Sequence, residues 1–495
     1  MPVRDRVRFF VNGELVELAD VEPTRTVLQY LREDCVQTGT KEGCAEGDCG
    51  ACTVVLVALD GAGTGLTVRA VNACIQFLAT LDGKELLTIE GLAGPGGQLH
   101  PVQQAMVDEH GSQCGFCTPG FVMSLFALFK SDSAPGRVAI DNALAGNLCR
   151  CTGYRPIVAA ARRMYELADN SSWLTAGAGA NVGVSDFVAR LAALQDDADL
   201  VVADADRRFL APATVDALAA AMLEQPSATL LAGGTDVGLW VTKHYRDLDP
   251  VIYIGRVREL AVIRVADSTL HIGAGVTLTE AVPHLVEHYP DFEEMFLRWA
   301  SPPIRNAATL VGNVANGSPI GDSMPALMAV GTEVVLRKGS RRRSLPLEAF
   351  YIDYQVKDLE PGEFVERISV PLPTGNTVTR CYKVSKRFDQ DISAVCLGVS
   401  FVLDDAVARN VRLAYGGMAA TVRRATHAEQ AIEGRRLNDA TIAAAMDAID
   451  RDFDPISDMR ASATYRREIS KNLIKRLQLD MSGKTTSVYR YGRAS

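Results

Sequence analysis

The sequence predicts a multidomain α+β protein. Strand-like alternation fills its first part, four stretches of helical period follow, and the remainder mixes strands and helices around two runs dense in Gly, Asn and Ser. At 495 residues the chain can hold about three or four domains, each large enough for its own core. Residues 7–18, VRFFVNGELVEL, alternate about Asn12-Gly13 and read as a β-hairpin. Thr26 starts a short helix, and TVVLV at 53–57 and LTVRAV at 66–71 are two further strands. Residues 1–92 should therefore form a small sheet crossed by one helix.

From His100 the pattern turns helical. HPVQQAMVDEH, GFVMSLFALFK, VAIDNALAG and RPIVAAARRMYELA each carry a helical period, which makes 93–169 a four-helix segment. CGFCTPGF at 114–121 and LCRCTGYRP at 148–156 form a faint repeat, a Cys pair and a Thr set before a helix. Thr118 is expected to cap the helix opening with Pro119, and Thr152 to do the same ahead of Pro156. Residues 170–205, small, Gly/Ala-rich and then acidic, read as a linker with one amphipathic helix, SDFVARLAAL.

Eight of the eleven cysteines fall into two quartets. Cys44, Cys49, Cys52 and Cys74 read C-x4-C-x2-C followed by one distant Cys, the spacing of plant-type ferredoxins with a 2Fe–2S cluster. Gly43, Gly47 and Gly50 let that loop turn its N–H groups towards sulfur. Cys114, Cys117, Cys149 and Cys151 form C-x2-C and then C-x-C, a different geometry and so a different site. Helix starts beside these cysteines favour an anionic cluster. Four thiolates also suit structural zinc. The dense glycine-punctuated loop argues against zinc in the first quartet, whereas the second quartet taken alone leaves it open. A disulfide framework needs an oxidising compartment, and MPVRDRVRFFVNG has no apolar stretch of the secretory kind. Cys35, Cys381 and Cys396 read as ordinary buried thiols.

Charge and hydropathy narrow the classes further. The net charge is −9 with both signs interspersed, so nucleic acid is not an expected partner. The basic run LRKGSRRR at 336–343 reads as a solvated hairpin tip turning at Gly339. No apolar run approaches the roughly 18 residues of a membrane span, FVMSLFALF at 121–129 being the densest, and a cytoplasmic chain is expected. HLVEH at 284–288 matches the letters of a zinc protease motif, but on an amphipathic helix it reads as surface packing. Asp389 and Asp391 form an acidic pair on a loop.

TLLAGGTDVGLWV at 229–241 is a strand running into a Gly-Gly turn, and IRNAATLVGNVANGSPIGDSMPAL at 304–327 is a second loop. Glycine admits a ligand to the backbone while Asn, Thr and Ser add donors, a combination suited to a dinucleotide pyrophosphate. Neither is a G-x-G-x-x-G fingerprint, so a nicotinamide-type Rossmann fold is not expected. An ordinary Gly-rich turn pair explains either loop equally well.

CAEGDCGAC, CGFCTPG, NLCRCTGY, LLAGGTDVG and VGNVANGSPIGD, in that order, resemble the small, iron–sulfur and flavin subunits of bacterial xanthine dehydrogenases, in the molybdenum hydroxylase family, over nearly the whole chain. The resemblance implies a β-grasp ferredoxin-like domain (1–92) and a four-helix cluster domain (93–169), each with one 2Fe–2S cluster. It further implies a vanillyl-alcohol-oxidase-like FAD domain (206–376) and a C-terminal α+β domain (377–495). Leu230, Leu231, Ala232, Gly233, Gly234, Thr235, Asp236 and Val237 would wrap the FAD pyrophosphate, with Thr309, Gly312, Asn313, Asn316, Ser318 and Asp322. Trp299 would lie near the isoalloxazine and Lys383 at the flavin, with the Asp389–Asp391 loop close to the flavin and the NAD site.

No side chain need act as a nucleophile under this resemblance. Electrons would enter at a molybdopterin centre on a large partner subunit, pass the helical-domain cluster and the ferredoxin-like cluster, and reach FAD and then NAD. The overall reaction would oxidise hypoxanthine or xanthine to urate, in a dimer of heterodimers. No segment is left over for the molybdopterin part, so the chain should be half an enzyme. The corresponding subunit of an aldehyde, nicotinate or carbon monoxide oxidising relative is the alternative, and the fused order of clusters and flavin favours xanthine.

Overall fold

The Asn12-Gly13 hairpin forms as its pattern predicts: Val7–Val11 pairs antiparallel with Glu14–Leu18, and both turn residues take positive φ, 50° and 89°, as a type I′ turn requires. This is a computed structural model that describes residues 2–167, 184–484, 486 and 487. They fall into two units, Met1–Ala261 with Ser301–Ala308, and Val262–Ala300 with Thr309–Ser495. Thr26 closes a capping box with Gln29 at the start of Val27–Gln29. Thr53–Leu59 pairs with Leu66–Asn72. A strand that the pattern did not show, Glu85–Leu87, runs parallel to Val7–Val11 and antiparallel to Thr53–Leu59, completing a five-stranded sheet.

Both faces of this sheet are apolar. Alternating side chains point to opposite sides, so Val7, Phe9, Val11, Val54 and Val71 enter one core with Leu28, Leu31, Leu200, Phe209, Leu231 and Val251. Phe10, Val55, Val57 and Ala70 enter another with Val102, Phe121, Leu125, Ile140 and Ile157. The latter come from Pro101–Asp108, Thr118–Ser131, Arg137–Leu144 and Arg155–Arg163, helices where the periods put them. Their expected caps are corrected. The N-cap of Thr118–Ser131 is Cys117, and Thr118 instead donates its hydroxyl to Ser112 at 2.8 Å. Tyr154 precedes Arg155–Arg163 in a left-handed conformation, and Thr152 is turned towards a cysteine.

The linker reading is also corrected in part. Residues 170–183 lie outside the described residues, and the amphipathic helix is Val184–Leu194, with Phe187, Leu191 and Leu194 in the second core. The acidic stretch beyond it is a strand, Asp199–Asp204, because Leu200 and Val202 alternate into the first core. It pairs antiparallel with Arg207–Ala211 and parallel with Val3–Arg4. The first residues thus leave the 1–92 segment for a second five-stranded sheet, which also contains Val251–Tyr253 and Thr229–Leu231. Arg4 and Arg256 both bind Asp82 and Asp196, at 2.7 to 3.5 Å, and Arg8 N–H donates to Asp82 at 2.9 Å. That cluster ties the two sheets together.

In the other unit, Ile263–Ala266, Thr269–Gly273, Phe364–Pro371, Glu333–Lys338 and Arg341–Pro346 form one sheet. Thr377–Val384, Val395–Asp404 and Val407–Gly416 form another, covered by Asp439–Asp452 and Ala463–Met481 over a core of Leu397, Val399, Ile442, Ile449 and Ile474. The basic hairpin turns at Gly339, φ 57°, but its tip is not simply solvated. Arg337 is buried against Glu366 at 3.2 Å, Arg342 meets the same carboxylate at 2.7 Å, and Arg343 meets Glu363 at 2.7 Å. HLVEH lies within the helix Leu278–His288, where Leu285 faces inward and His284 outward.

Glu85 gives the first test. It is fully buried and accepts from Gly13 N–H at 2.7 Å; burial pushes its pKa up to about 8, against the pull of that N–H and of Arg190. A carboxyl raised on folding stabilises the fold below its unfolded pKa, about 4.3, and that contribution is lost as pH rises through the folded value. Glu85→Gln should therefore change urea stability little near about pH 5 and raise it towards about pH 9, by up to about 4 kcal/mol. A difference that does not vary with pH would contradict the assignment.

Candidate functional site

The first thiol quartet is built by the turn ahead of Thr53–Leu59 and by the chain just past Leu66–Asn72, which delivers Cys74. Cys44 Sγ accepts from the N–H groups of Glu46, Asp48 and Cys49 at 3.5, 3.3 and 3.3 Å. Positive φ at Ala45, Gly47 and Gly50 turns those groups inward. Hydrogen bonds from the Cys49 and Cys74 thiols pull the Cys44 pKa far down while their own rise. Cys52 lies in the same reach of Cys74, and Asn72 Nδ2 donates to Cys52 Sγ at 3.8 Å. Thiolates ringed by N–H donors are the environment a 2Fe–2S cluster requires.

The second quartet stands at two helix starts. Cys114 and Cys117 precede Thr118–Ser131, and Cys149 and Cys151 precede Arg155–Arg163. Cys114 lies in hydrogen-bonding reach of Cys151, and Cys117 of Cys149. Burial, then Cys149, pushes the Cys117 pKa up to about 12. Burial also opposes ionisation of Cys149, but the hydroxyl and N–H of Thr152, at 3.3 and 3.5 Å from its sulfur, outweigh it and lower the pKa. Thr152 therefore serves the sulfur, and its hydroxyl also accepts from the N–H of Tyr154, the N-cap, at 3.2 Å, rather than capping the helix itself. Cys114 and Cys151 are exposed, as are Phe116, Leu148 and Tyr154 close to them in the chain. Among the described residues no three His, Cys, Asp or Glu side chains are gathered as a single metal ion would need; the thiols of the second quartet approach in two pairs, whereas in the first Cys44 reaches Cys49 and Cys74, and Cys74 also reaches Cys52.

A link between the quartets was not visible in the sequence. Leu148 N–H donates to Cys49 C=O at 2.9 Å, so one bond joins the residue before Cys149 to a cysteine of the first quartet. Asn147 Nδ2 donates to Gly50 C=O at 3.2 Å and is oriented by the Ser124 hydroxyl, at 2.7 Å from its Oδ1. A Cβ at Gly50 would collide with the backbone of Gly146. The only hint was an Asn directly ahead of LCRC.

In the same unit, Thr229–Leu231 carries Leu230 and Leu231 into the turn of Ala232, Gly233, Gly234, Thr235, Asp236 and Val237. Gly234 has φ 73°. Among the described residues, none accepts a hydrogen bond from the N–H groups of 233–236, a run of open donors of the kind that cradles phosphate. Gly233 has a second reason to be glycine, since a Cβ there would run into the backbone of Ala307.

The 304–327 loop is corrected to three short helices, Pro302–Ala307, Leu310–Asn316 and Ser323–Ala329. Thr309 is the N-cap of the second, accepting from Gly312 N–H at 3.0 Å. Asn313 Oδ1 accepts from the Ser323 hydroxyl at 2.6 Å, and Asn316 and Ser318 are half-buried near Gly317, the helix C-cap with φ 64°. Trp299 is buried beside Phe296. Lys383 is not an open cation. Its Nζ binds the Asp322 carboxylate and donates to Asp391 C=O at 2.7 Å, and Ser393 donates to the other Asp322 oxygen at 2.5 Å. Asp391 also accepts from Arg387 N–H at 2.8 Å. Arg298, missed in the sequence, holds this segment by Lys383 C=O and Phe388 C=O at 2.8 and 2.9 Å; burial lowers its pKa.

Fold and site define a protein built to hold iron–sulfur clusters and a flavin for electron transfer. Four family profiles match in chain order: the 2Fe-2S iron-sulfur cluster binding domain (9–76), the [2Fe-2S] binding domain (88–162), the FAD binding domain in molybdopterin dehydrogenase (198–373) and the CO dehydrogenase flavoprotein C-terminal domain (380–481). Xanthine dehydrogenase of Emericella nidulans is 32% identical over 96% of this chain and 39% of that protein. Xanthine dehydrogenase/oxidase of Gallus gallus is 30% identical over 88% and 37%. The chain thus spans about two-fifths of the length of these relatives. Among solved structures, a carbon monoxide dehydrogenase from Hydrogenophaga pseudoflava superposes with TM-score 0.52 at 28% identity, covering 54% of this chain and 94% of that one. Quinoline 2-oxidoreductase from Pseudomonas putida 86 shares the fold at TM-score 0.50 and 21% identity, over 55% and 94%. The chain belongs to the molybdenum hydroxylase family, as its iron–sulfur and FAD electron-transfer module.

The Lys383–Asp322 pair gives the second test, because both side chains are almost wholly buried, at 1% and 4% exposed. Lys383→Met strands a buried carboxylate and should cost about 3–5 kcal/mol in denaturant unfolding. Adding Asp322→Asn should recover part of that loss. Additive losses in the double variant would mean that the two groups are not coupled.

Proposed function

We propose that the chain is the electron-transfer subunit of an enzyme oxidising hypoxanthine or xanthine, taking electrons from a molybdenum centre on a large molybdopterin-binding partner and passing them to NAD. The observation that supports the purine reading is continuity: the xanthine dehydrogenase relatives align across both cluster domains and the flavin domains, 96% of the chain, whereas the carbon monoxide dehydrogenase chain covers 54%. The second reading, a carbon monoxide, aldehyde or nicotinate oxidising relative, draws on that structural likeness.

FAD when bound supplies the exchange between one-electron donors and a two-electron hydride acceptor. This chain's residues hold, orient and insulate. The eight cysteines ligate the clusters; Leu148 N–H and Asn147 keep the two quartets in register. The open N–H groups of 233–236 bind the FAD pyrophosphate, with Leu230, Leu231, Thr309, Gly312, Asn313, Asn316 and Ser318 as further contacts. The Asp322–Lys383 pair and Trp299 shape the flavin's surroundings. Exposed Cys114 and Cys151, close in the chain to exposed Phe116, Leu148 and Tyr154, suit an entry point for electrons from the partner in a dimer of heterodimers.

The loaded chain should contain about four irons and about four labile sulfides per flavin. Cys149→Ser should delete one reduced-cluster EPR signal and leave the other. NADH should reduce a dye through the isolated chain, while hypoxanthine should do so only after the partner is added. A loaded chain that fails to oxidise NADH would remove NAD from the account, and one equivalent of zinc with half the iron would remove the second cluster.

A further inference from the structure

Ile75 follows directly after the ligand Cys74, and glycines from two different segments close upon it. A Cβ at Gly47, in the cluster loop, would lie 2.6 Å from Ile75 Cδ1. From the 231–238 turn, a Cβ at Gly234 would lie 3.2 Å from the Ile75 carbonyl oxygen, and one at Gly238 would lie 2.7 Å from that oxygen and 2.8 Å from Ile75 Cβ. Gly238 stands inside the helix Val237–Thr242, where glycine is less favourable than alanine. Its φ is not in the left-handed region, so close approach to Ile75 is what demands it. One turn on, the Thr242 hydroxyl donates to Ala45 C=O of the cluster loop at 2.7 Å. Asn306 Nδ2 donates to Ala70 C=O at 2.9 Å. Ile75 is 3% exposed, in one core with Cys52, Cys74 and Leu231.

We propose that Ile75, seated against Gly234 and Gly238, is the positioning residue that fixes the spacing between the first cluster and the flavin, so that electrons leaving that cluster cross this contact. The inference rests on the reading that the 231–237 turn holds FAD. Two successive one-electron oxidations of the reduced cluster supply the two electrons that, with two solvent protons, convert FAD to its reduced dihydro form. A protein interior transmits a displacement because it is close-packed. A methyl at Gly238 pushes on backbone, which cannot swing aside as a long side chain would, and so moves the turn and the cluster apart.

The test uses the full chain loaded with clusters and FAD, and compares wild type with Thr242→Val and Gly238→Ala. Its readouts are iron and flavin content, the EPR signal of each cluster, and the fluorescence lifetime of bound FAD, which electron exchange with a nearby cluster shortens. The lifetime should lengthen several-fold in Gly238→Ala and less in Thr242→Val, with the iron content and the second cluster's signal unchanged. If Gly238→Ala fails to keep its FAD, Thr242→Val alone decides. Unchanged lifetimes with FAD retained overturn the proposal. Thr235→Pro separates the two levels: it removes one open N–H and should weaken FAD binding by about tenfold. Wild-type FAD affinity in Thr235→Pro sinks the reading of the turn, whereas lost affinity with unchanged lifetimes in the other variants sinks only the Ile75 inference.

Discussion

A β-sheet that is apolar on one side needs one partner, but the sheet of Val7–Val11, Thr53–Leu59 and Leu66–Asn72 is apolar on both sides and must have two. One face buries Phe9 and Val54 against Leu200, Phe209 and Val251, from the segment that carries the glycine-rich turn. The other buries Phe10, Val55 and Val57 against the helices that carry the second thiol quartet. Each such side chain contributes roughly 1.5–3 kcal/mol when fully buried. The first thiol loop stands between two packed neighbours, and the same hydrophobic pairing that makes the unit fold places one redox segment on each side of it.

Polar contacts then set the register within those cores. Leu148 N–H meets Cys49 C=O, the Thr242 hydroxyl meets Ala45 C=O, and the Arg4, Arg256, Asp82 and Asp196 cluster fastens the first strand to both sheets. Hydrophobic burial alone is non-directional. Directional bonds between the cysteine loops and their neighbours convert packing into fixed spacing, which is what a chain of redox centres requires. Exposed ion pairs add little to stability, yet Asp82 is 4% exposed and removing either partner from such a site would be costly.

Local chemistry was legible in the sequence; long-range pairing was not. The Asn-Gly turn, the four helical periods and the cysteine spacings each follow from residues close together in the chain, and the structure forms the turn and helices where they were read. Glu85–Leu87 escaped because it is a three-residue strand buried on both sides, too short to show alternation. Val3–Arg4 escaped because its partner, Asp199–Asp204, lies far along the chain and its acidic composition suggested a linker. Thr118 and Thr152 have the residue type of caps, but a nearby hydroxyl and a nearby sulfur compete for them. The glycines were read as ligand-facing, whereas Gly233 and Gly238 are also dictated by the backbones of Ala307 and Ile75, which no local pattern discloses.

If one doubly apolar sheet holds its neighbours together, those neighbours should not open separately. Native-state hydrogen exchange of the cluster-loaded chain, followed against low denaturant, measures this most directly. Amides of Val7–Val11, Thr53–Leu59, Thr118–Ser131 and Asp199–Asp204 should merge into one opening with a common free energy and a common denaturant slope. An opening of Thr118–Ser131 at markedly lower free energy, with the sheet still protected, would show that the helical segment is an independent body and would contradict the account.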